Sequence, residues 1–275
     1  MNYRIRLAVV VSALAVPAIL AAQAPAPPKV IVVGRELVKP GKGAAHTKLE
    51  SAWSRALEAA KSPTTFIAMT TMSGANEAWF LFPYASMADM QKLNAAGDAS
   101  ATLTAITDRY AAQESDLLAN MFTMIANYRD DLSYNDGTPL PSLRYMSVQR
   151  VSVKIGHNDE FVEARKIIKA AHEKAKVAHG YAIYEVTAGA PAGTFLVFSG
   201  RKSLAELDAD PHGPAYVTAL GGPDGQKKLN AMTMSYENSA DATLFQLNAA
   251  MSSPGKAWID ADPFWKPKVA PKKVP

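Results

Sequence analysis

Hydrophobic positions along this chain follow two periods, and the order in which the periods alternate occurs twice. Residues 30–39 alternate and are β-branched, which predicts a strand. Pro40-Gly41 turns the chain into a helix over about 43–60, where His46, Leu49, Trp53, Ala56 and Ala60 lie three or four apart on one face. Pro63 ends that helix. Residues 65–72 and 78–82 read as strands joined by a hairpin at Ser73-Gly74-Ala75-Asn76. A second helix is expected over 99–116, with Leu103, Ile106 and Tyr110 inward, and a last strand over 121–128.

The same order returns downstream. A strand over 145–154 meets the turn Ile155-Gly156, and a helix over 159–178 buries Phe161, Ala164, Ile168, Ala171 and Ala175 until Gly180 stops it. Strands over 181–187 and 194–199 flank Gly189-Ala190-Pro191. A less regular helix starts at Pro214, breaks at Gly221-Gly222-Pro223 and resumes over 226–238, before a strand over 242–249. The residues repeat as well as the periods. Val33-x-Arg35-x-x-Val38-Lys39-x-Gly41 reads again as Val148-x-Arg150-x-x-Val153-Lys154-x-Gly156, at an offset of 115. An ungapped register also pairs Gly74-Ala75 with Gly189-Ala190 and Phe80-Leu81 with Phe195-Leu196. Self-similarity at a fixed offset marks two copies of one βαββαβ unit.

One such unit is an antiparallel sheet with helices on a single face. In the first strand Val30 and Val32 lie on one side, and Ile31, Val33 and Leu37 on the other, so both faces ask for burial. The economical solution closes the two sheets on each other. The expected fold class is therefore α+β: two tandem ferredoxin-like repeats forming a pseudo-dimeric α+β barrel within one chain.

The ends change the picture of charge and location. Arg4 and Arg6, an apolar run over 7–20 and Ala22-Gln23-Ala24 have the form of a secretory signal over 1–24, which implies a periplasmic or secreted protein. The apolar run of about 14 residues is short for a span of roughly 20, and no later segment is apolar and long enough. The repeats then occupy 28–134 and 143–254, with an Asn-Asp-Gly and proline linker over 135–142 and a Pro/Lys-rich tail over 255–275. The sequence pI of 9.1 is a property of the ends. Without the two leader arginines, and the five lysines and two aspartates of the tail, 22 basic residues face 23 acidic ones. No basic face for nucleic acid follows. Trp258, Phe264 and Trp265 are expected to strap the tail to the body. The chain has no cysteine, which removes disulfides and thiol chemistry.

Val38-Lys39-Pro40-Gly41-Lys42, Val153-Lys154-Ile155-Gly156-His157 and Asp131-Leu132-Ser133-Tyr134 carry a resemblance to the dimeric α+β barrel superfamily, over about residues 28–254. That superfamily includes NIPSNAP-like and antibiotic-biosynthesis-monooxygenase-like domains. The resemblance implies the barrel. It spans cofactor-free oxygenases, haem-binding enzymes and proteins without known activity, so it implies no one chemistry.

Candidate ligand-pocket residues come from the residues themselves. Arg35 and Arg150 sit mid-strand at matching positions; each needs an acidic partner such as Glu185, or clamps an anionic ligand. His46 falls on the helix position that Phe161 fills in the second copy, as a core histidine, a general base or a haem ligand. Trp53, Tyr184 and Glu185 complete the set. His172 and His179 stand too far apart for one metal, and no ligand-spaced cluster stands out, so no metal is expected. The leading expectation is a non-catalytic monomer or homodimer that binds a small apolar or anionic molecule or serves assembly. A cofactor-free oxygenase or haem enzyme is the alternative, and a partner-binding role for the basic tail is a third. Positions where the copies differ, such as His46/Phe161, Trp53/Ile168 and Thr70/Glu185, are where specialisation is expected.

Overall fold

The computed structural model describes residues 26–209 and 212–266. The expected signal segment and the end of the tail lie outside the described residues. The order of elements is β1 (Val30–Val38), α1 (Gly43–Ala59), β2 (Ile67–Thr71), β3 (Glu77–Tyr84), α2 (Met87–Asp98), α3 (Ala101–Glu114) and β4 (Leu118–Tyr128). It continues with β5 (Tyr145–Val153), α4 (Asn158–Ala175), β6 (Ala182–Ala188), β7 (Thr194–Arg201), α5 (Pro214–Ala219), α6 (Gly222–Tyr236), β8 (Glu237–Leu247) and α7 (Lys256–Ala261). The eight strands close a barrel in the order β1-β3-β2-β8-β5-β7-β6-β4. All pairings are antiparallel, and β2–β8 and β4–β6 join the two halves of the chain.

Closure buries both strand faces, as the alternation requires. Inside the barrel Ile31, Val33, Met69, Trp79, Met124, Val148, Tyr184, Leu196, Phe198 and Phe245 form one core. Outside it, helices cover the opposite faces in two separate layers. One layer holds Leu57, Phe66, Ala68, Ala78 and Phe80; the other holds Val151, Phe161, Ile183, Phe195, Leu229 and Tyr236.

The ladders correct the ungapped register. Arg35 pairs with Trp79, whereas Arg150 pairs with Leu196, so the third strands are related by 117 residues rather than 115. Two residues have entered the second hairpin. Phe80 and Phe195 keep the same face only because the shift is even. Inside that longer hairpin Gly189 has φ +86°, and a Cβ there would stand 2.0 Å from the Thr123 carbonyl oxygen.

Other boundaries moved for local reasons. The helix expected over 99–116 is α3, and a further helix, α2, precedes it; Ser86 and Ser100 start the two, their hydroxyls accepting from the Asp89 and Leu103 amides. Helix α2 buries no residue, so it has no hydrophobic period to read. Helix α4 ends at Lys176 in a left-handed conformation, before Gly180. Gly180 serves a close approach instead: a Cβ would lie 2.7 Å from the Tyr134 carbonyl oxygen. The tail aromatics do strap. Trp265 is 1% exposed in the barrel core and donates from Nε1 to Pro141 O at 2.7 Å, while Asp262 pairs with Arg144. Among the described residues no helix is long and apolar enough to cross a membrane.

Candidate functional site

The layer between β1, α1 and α3 contains a polar cluster where the fold needs only a core. Even-numbered β1 residues face the helices, which turns Glu36 outward beneath α1. The Lys39–Lys42 turn, with Gly41 at φ +77°, brings α1 back across the strand. His46 and Glu50 are four residues apart, so both project from one face of α1. Glu114, the last residue of α3, closes the group. One donor atom from each of Glu36, His46, Glu50 and Glu114 lies within 4.8 Å of the others. His46 Nε2 is 2.7 Å from Glu36 Oε2.

Burial makes this arrangement electrostatically demanding. His46 is 2% exposed, Glu50 4% and Glu36 8%. Glu114 Oε1 is buried, and Glu114 is a hydrogen-bond partner of the Glu36 and Glu50 carboxyls when these carry protons. Burial raises the Glu36 carboxyl to about 9, with Glu114 adding to the shift. Glu50 is pushed up to about 9 by burial and then by Glu36 and Glu114. Burial lowers His46, against the opposing pull of Glu114. Carboxylates this close cannot all ionise unless something positive joins them, so at neutral pH either protons or a cation hold the cluster together.

A donor set of carboxylate oxygens and one imidazole suits a divalent cation such as Mn²⁺, Fe²⁺ or Zn²⁺. The sequence reading passed over this set. Its one visible signal was the four-residue spacing of His46 and Glu50; Glu36 and Glu114 join them only through the fold.

The other expected residues disperse. Arg35 makes a two-pronged pair with Glu77, at 2.9–3.2 Å, and lies 4.8 Å from the Trp79 ring centre. Trp79 Nε1 also donates to Glu77, at 2.7 Å. Arg150 pairs with Asp241. Both arginines border one cleft at one end of the barrel, each with its own acid. Glu185 pairs with neither; it binds Arg129 at 2.8 Å. Trp53 stacks on Phe66 at 5.0 Å in the first helix layer, at the edge of a cavity between α1, α2 and α3. Tyr184 lies at the opposite end of the barrel and donates its hydroxyl to Pro28 O at 3.0 Å. His172 donates from Nδ1 to Ile168 O at 2.8 Å.

No protein-family model matches the chain, and no curated protein matches it in sequence. Its architecture is shared with solved structures. A putative monooxygenase from Fusobacterium nucleatum is 9% identical, with a TM-score of 0.54 over 80% of this chain and 93% of that one. An anthrone oxidase-like protein is 12% identical, with a TM-score of 0.55 over 82% and 94%. A chlorite dismutase from Candidatus Nitrospira defluvii reaches a TM-score of 0.46 at 8% identity, over 81% and 93%. The first two are dimeric α+β barrels. At these identities the likeness shows the fold and nothing of the chemistry.

Proposed function

We propose that this chain is an exported metal-binding protein, built from two ferredoxin-like repeats, which holds one divalent cation between Glu36, His46, Glu50 and Glu114. The observation that carries the reading is the convergence of four ligand atoms, three from buried residues and one from half-buried Glu114, at positions that hold no such set in the other half among the described residues. Glu36, His46 and Glu50 correspond, 115 residues on, to Val151, Phe161 and Arg165. Counted from the matching bonds of Lys39 to Leu117 and Lys154 to Tyr236, Glu114 falls on Thr233. The fold is thus served without this cluster, and the cluster needs another reason.

A bound cation supplies Lewis-acid or, for iron and manganese, redox chemistry. The chain's contribution is to neutralise it with carboxylates, fix it through the His46 ring and exclude water by burial. Haem does not fit this histidine. His46 is 2% exposed and closed in by Glu36, Glu50 and Glu114, so it offers a porphyrin no open side.

The test is cation binding by the purified, chelator-treated protein. Mn²⁺, Fe²⁺ or Zn²⁺ should bind at about one per chain and raise the unfolding temperature. Glu50→Gln and His46→Ala should abolish both effects. Wild-type protein that takes up no more cation than these variants would remove the reading. Export is tested by the mass of the mature N-terminus, expected near residue 25.

A further inference from the structure

A second site lies at the end of the barrel opposite Arg35 and Arg150. There β2 begins at Ile67, paired with Leu81, while β3 runs on to Tyr84 and has no ladder partner on that side beyond Leu81. Beside this gap the barrel mouth holds a chamber of about 280 Å³, with Ile31, Ile67, Leu81 and Leu247 on the barrel side and Trp258 of α7 in its wall. That volume is close to the lower end of small-molecule sites, roughly 300–1,000 Å³.

The wall says what kind of molecule fits. Among the described residues no charged side chain lines the chamber, and only Thr65, Tyr184 and Trp258 bring polar side-chain atoms to it. The Tyr184 hydroxyl is already spent on Pro28 O, at 3.0 Å. Pro27, Pro28, Pro83 and Pro254, also in the lining, have no N–H to donate. In the adjoining chamber two acids, Asp136 and Glu206, are balanced by Lys202 and by Arg201, whose charge faces both, so no net sign reaches the mouth from there.

We infer that the barrel mouth binds one uncharged, predominantly hydrocarbon molecule. A charged group placed there leaves water and meets no partner, which is costly, whereas hydrocarbon gains the whole apolar wall. The wall is also held in place beforehand. Trp258 stands edge-on to Trp265, 5.1 Å between ring centres, and Trp265 is itself pinned by its bond to Pro141 O. A preformed wall lowers the ordering cost of binding. The site shares no residue with the Glu36 cluster and does not depend on the metal reading.

The experiment titrates purified full-length mature protein with the neutral dye N-phenyl-1-naphthylamine, whose emission rises in apolar surroundings. The bound dye is then competed with decan-1-ol and, separately, with decanoate at pH 7. The dye should bind saturably at about one per chain, and decanoate should need at least about tenfold more than decan-1-ol to displace it. Ile67→Trp and, from the other half, the milder Ala182→Leu both fill the chamber. The first should weaken dye and alcohol about tenfold and the second less, with circular dichroism checking the fold. Chelator-treated and metal-loaded protein should bind the dye equally, so failure of the metal reading does not touch this one. Absence of saturable dye binding, equal competition by decanoate and decan-1-ol, or folded filled variants that bind as wild type does would overturn the inference. So would a dimer that binds no dye and that Ile67→Trp dissociates, which would give the mouth to a second copy of the chain.

Discussion

The two helix layers outside the barrel solve one packing problem with opposite materials. In the second half Val151, Phe161 and Phe195 fill the space under α4, with Phe161 stacked on Phe195 at 4.1 Å and edge-on to Tyr236 at 5.4 Å. In the first half the ladder places Ala78 where Phe195 stands, and Glu36 and His46 where Val151 and Phe161 stand. The volume given up by an aromatic ring is occupied by carboxyls and an imidazole. Replacing buried ionisable groups by well-packed hydrocarbon is commonly neutral or stabilising by about 1–4 kcal/mol. Keeping three glutamates there costs stability, which the proposed cation binding would offset.

That comparison can be broken most forcefully by converting one half into the other. E36V/H46F/E50L should lose cation binding altogether and, measured without metal, unfold at a higher temperature than wild type. A variant that still binds one cation, or that is destabilised by several kcal/mol, would show that the cluster is structural. Phe161→Ala is the reverse arm. It should cost about 3–5 kcal/mol by denaturant melt, as aromatic core truncations do, with cation affinity unchanged.

The pH dependence sharpens the comparison. Folded Glu36 and Glu50, raised to about 9, keep protons that the unfolded chain releases near 4.5. The folded state therefore binds more protons across that interval, and metal-free stability falls as pH rises from about 5 towards 9. His46, lowered by burial, has the opposite sign and acts only below 6.5, where the unfolded chain protonates first. Thermal melts of chelated protein between pH 7 and 9 should drop steadily, and those of metal-loaded protein should be flatter. Parallel melts would contradict the assignment. The smallest effect belongs to the barrel-end arginines. Arg150→Gln should change stability by no more than about 1 kcal/mol, because both partners are well exposed. Arg35→Gln should cost more, since Arg35 and Glu77 are each 15% exposed and Glu77 also holds Trp79.

Period and residue identity carried most of the architecture into the sequence. The strands, the helices with buried faces and the closure of two sheets were legible because each followed from alternation or a three-to-four spacing. Helix α2 was not, since it buries nothing, and the two-residue hairpin shift was hidden because an even shift preserves the face. Of the site, only His46 was singled out, by its contrast with Phe161. Glu50 looked like an ordinary helix glutamate, and Glu36 like one polar residue in an alternating strand. What joins them to Glu114 is a crossing of α1 and the end of α3 over β1, a long-range fact that no local spacing encodes.

Central to this account are buried carboxyls that hold protons until a cation replaces them. Calorimetric titration of the metal-free protein with Mn²⁺ or Zn²⁺ at pH 7, in buffers of different ionisation heat, measures that exchange directly. Binding at about one cation per chain should release about two protons, from Glu36 and Glu50. Binding with no proton release, or no binding at all, would contradict it.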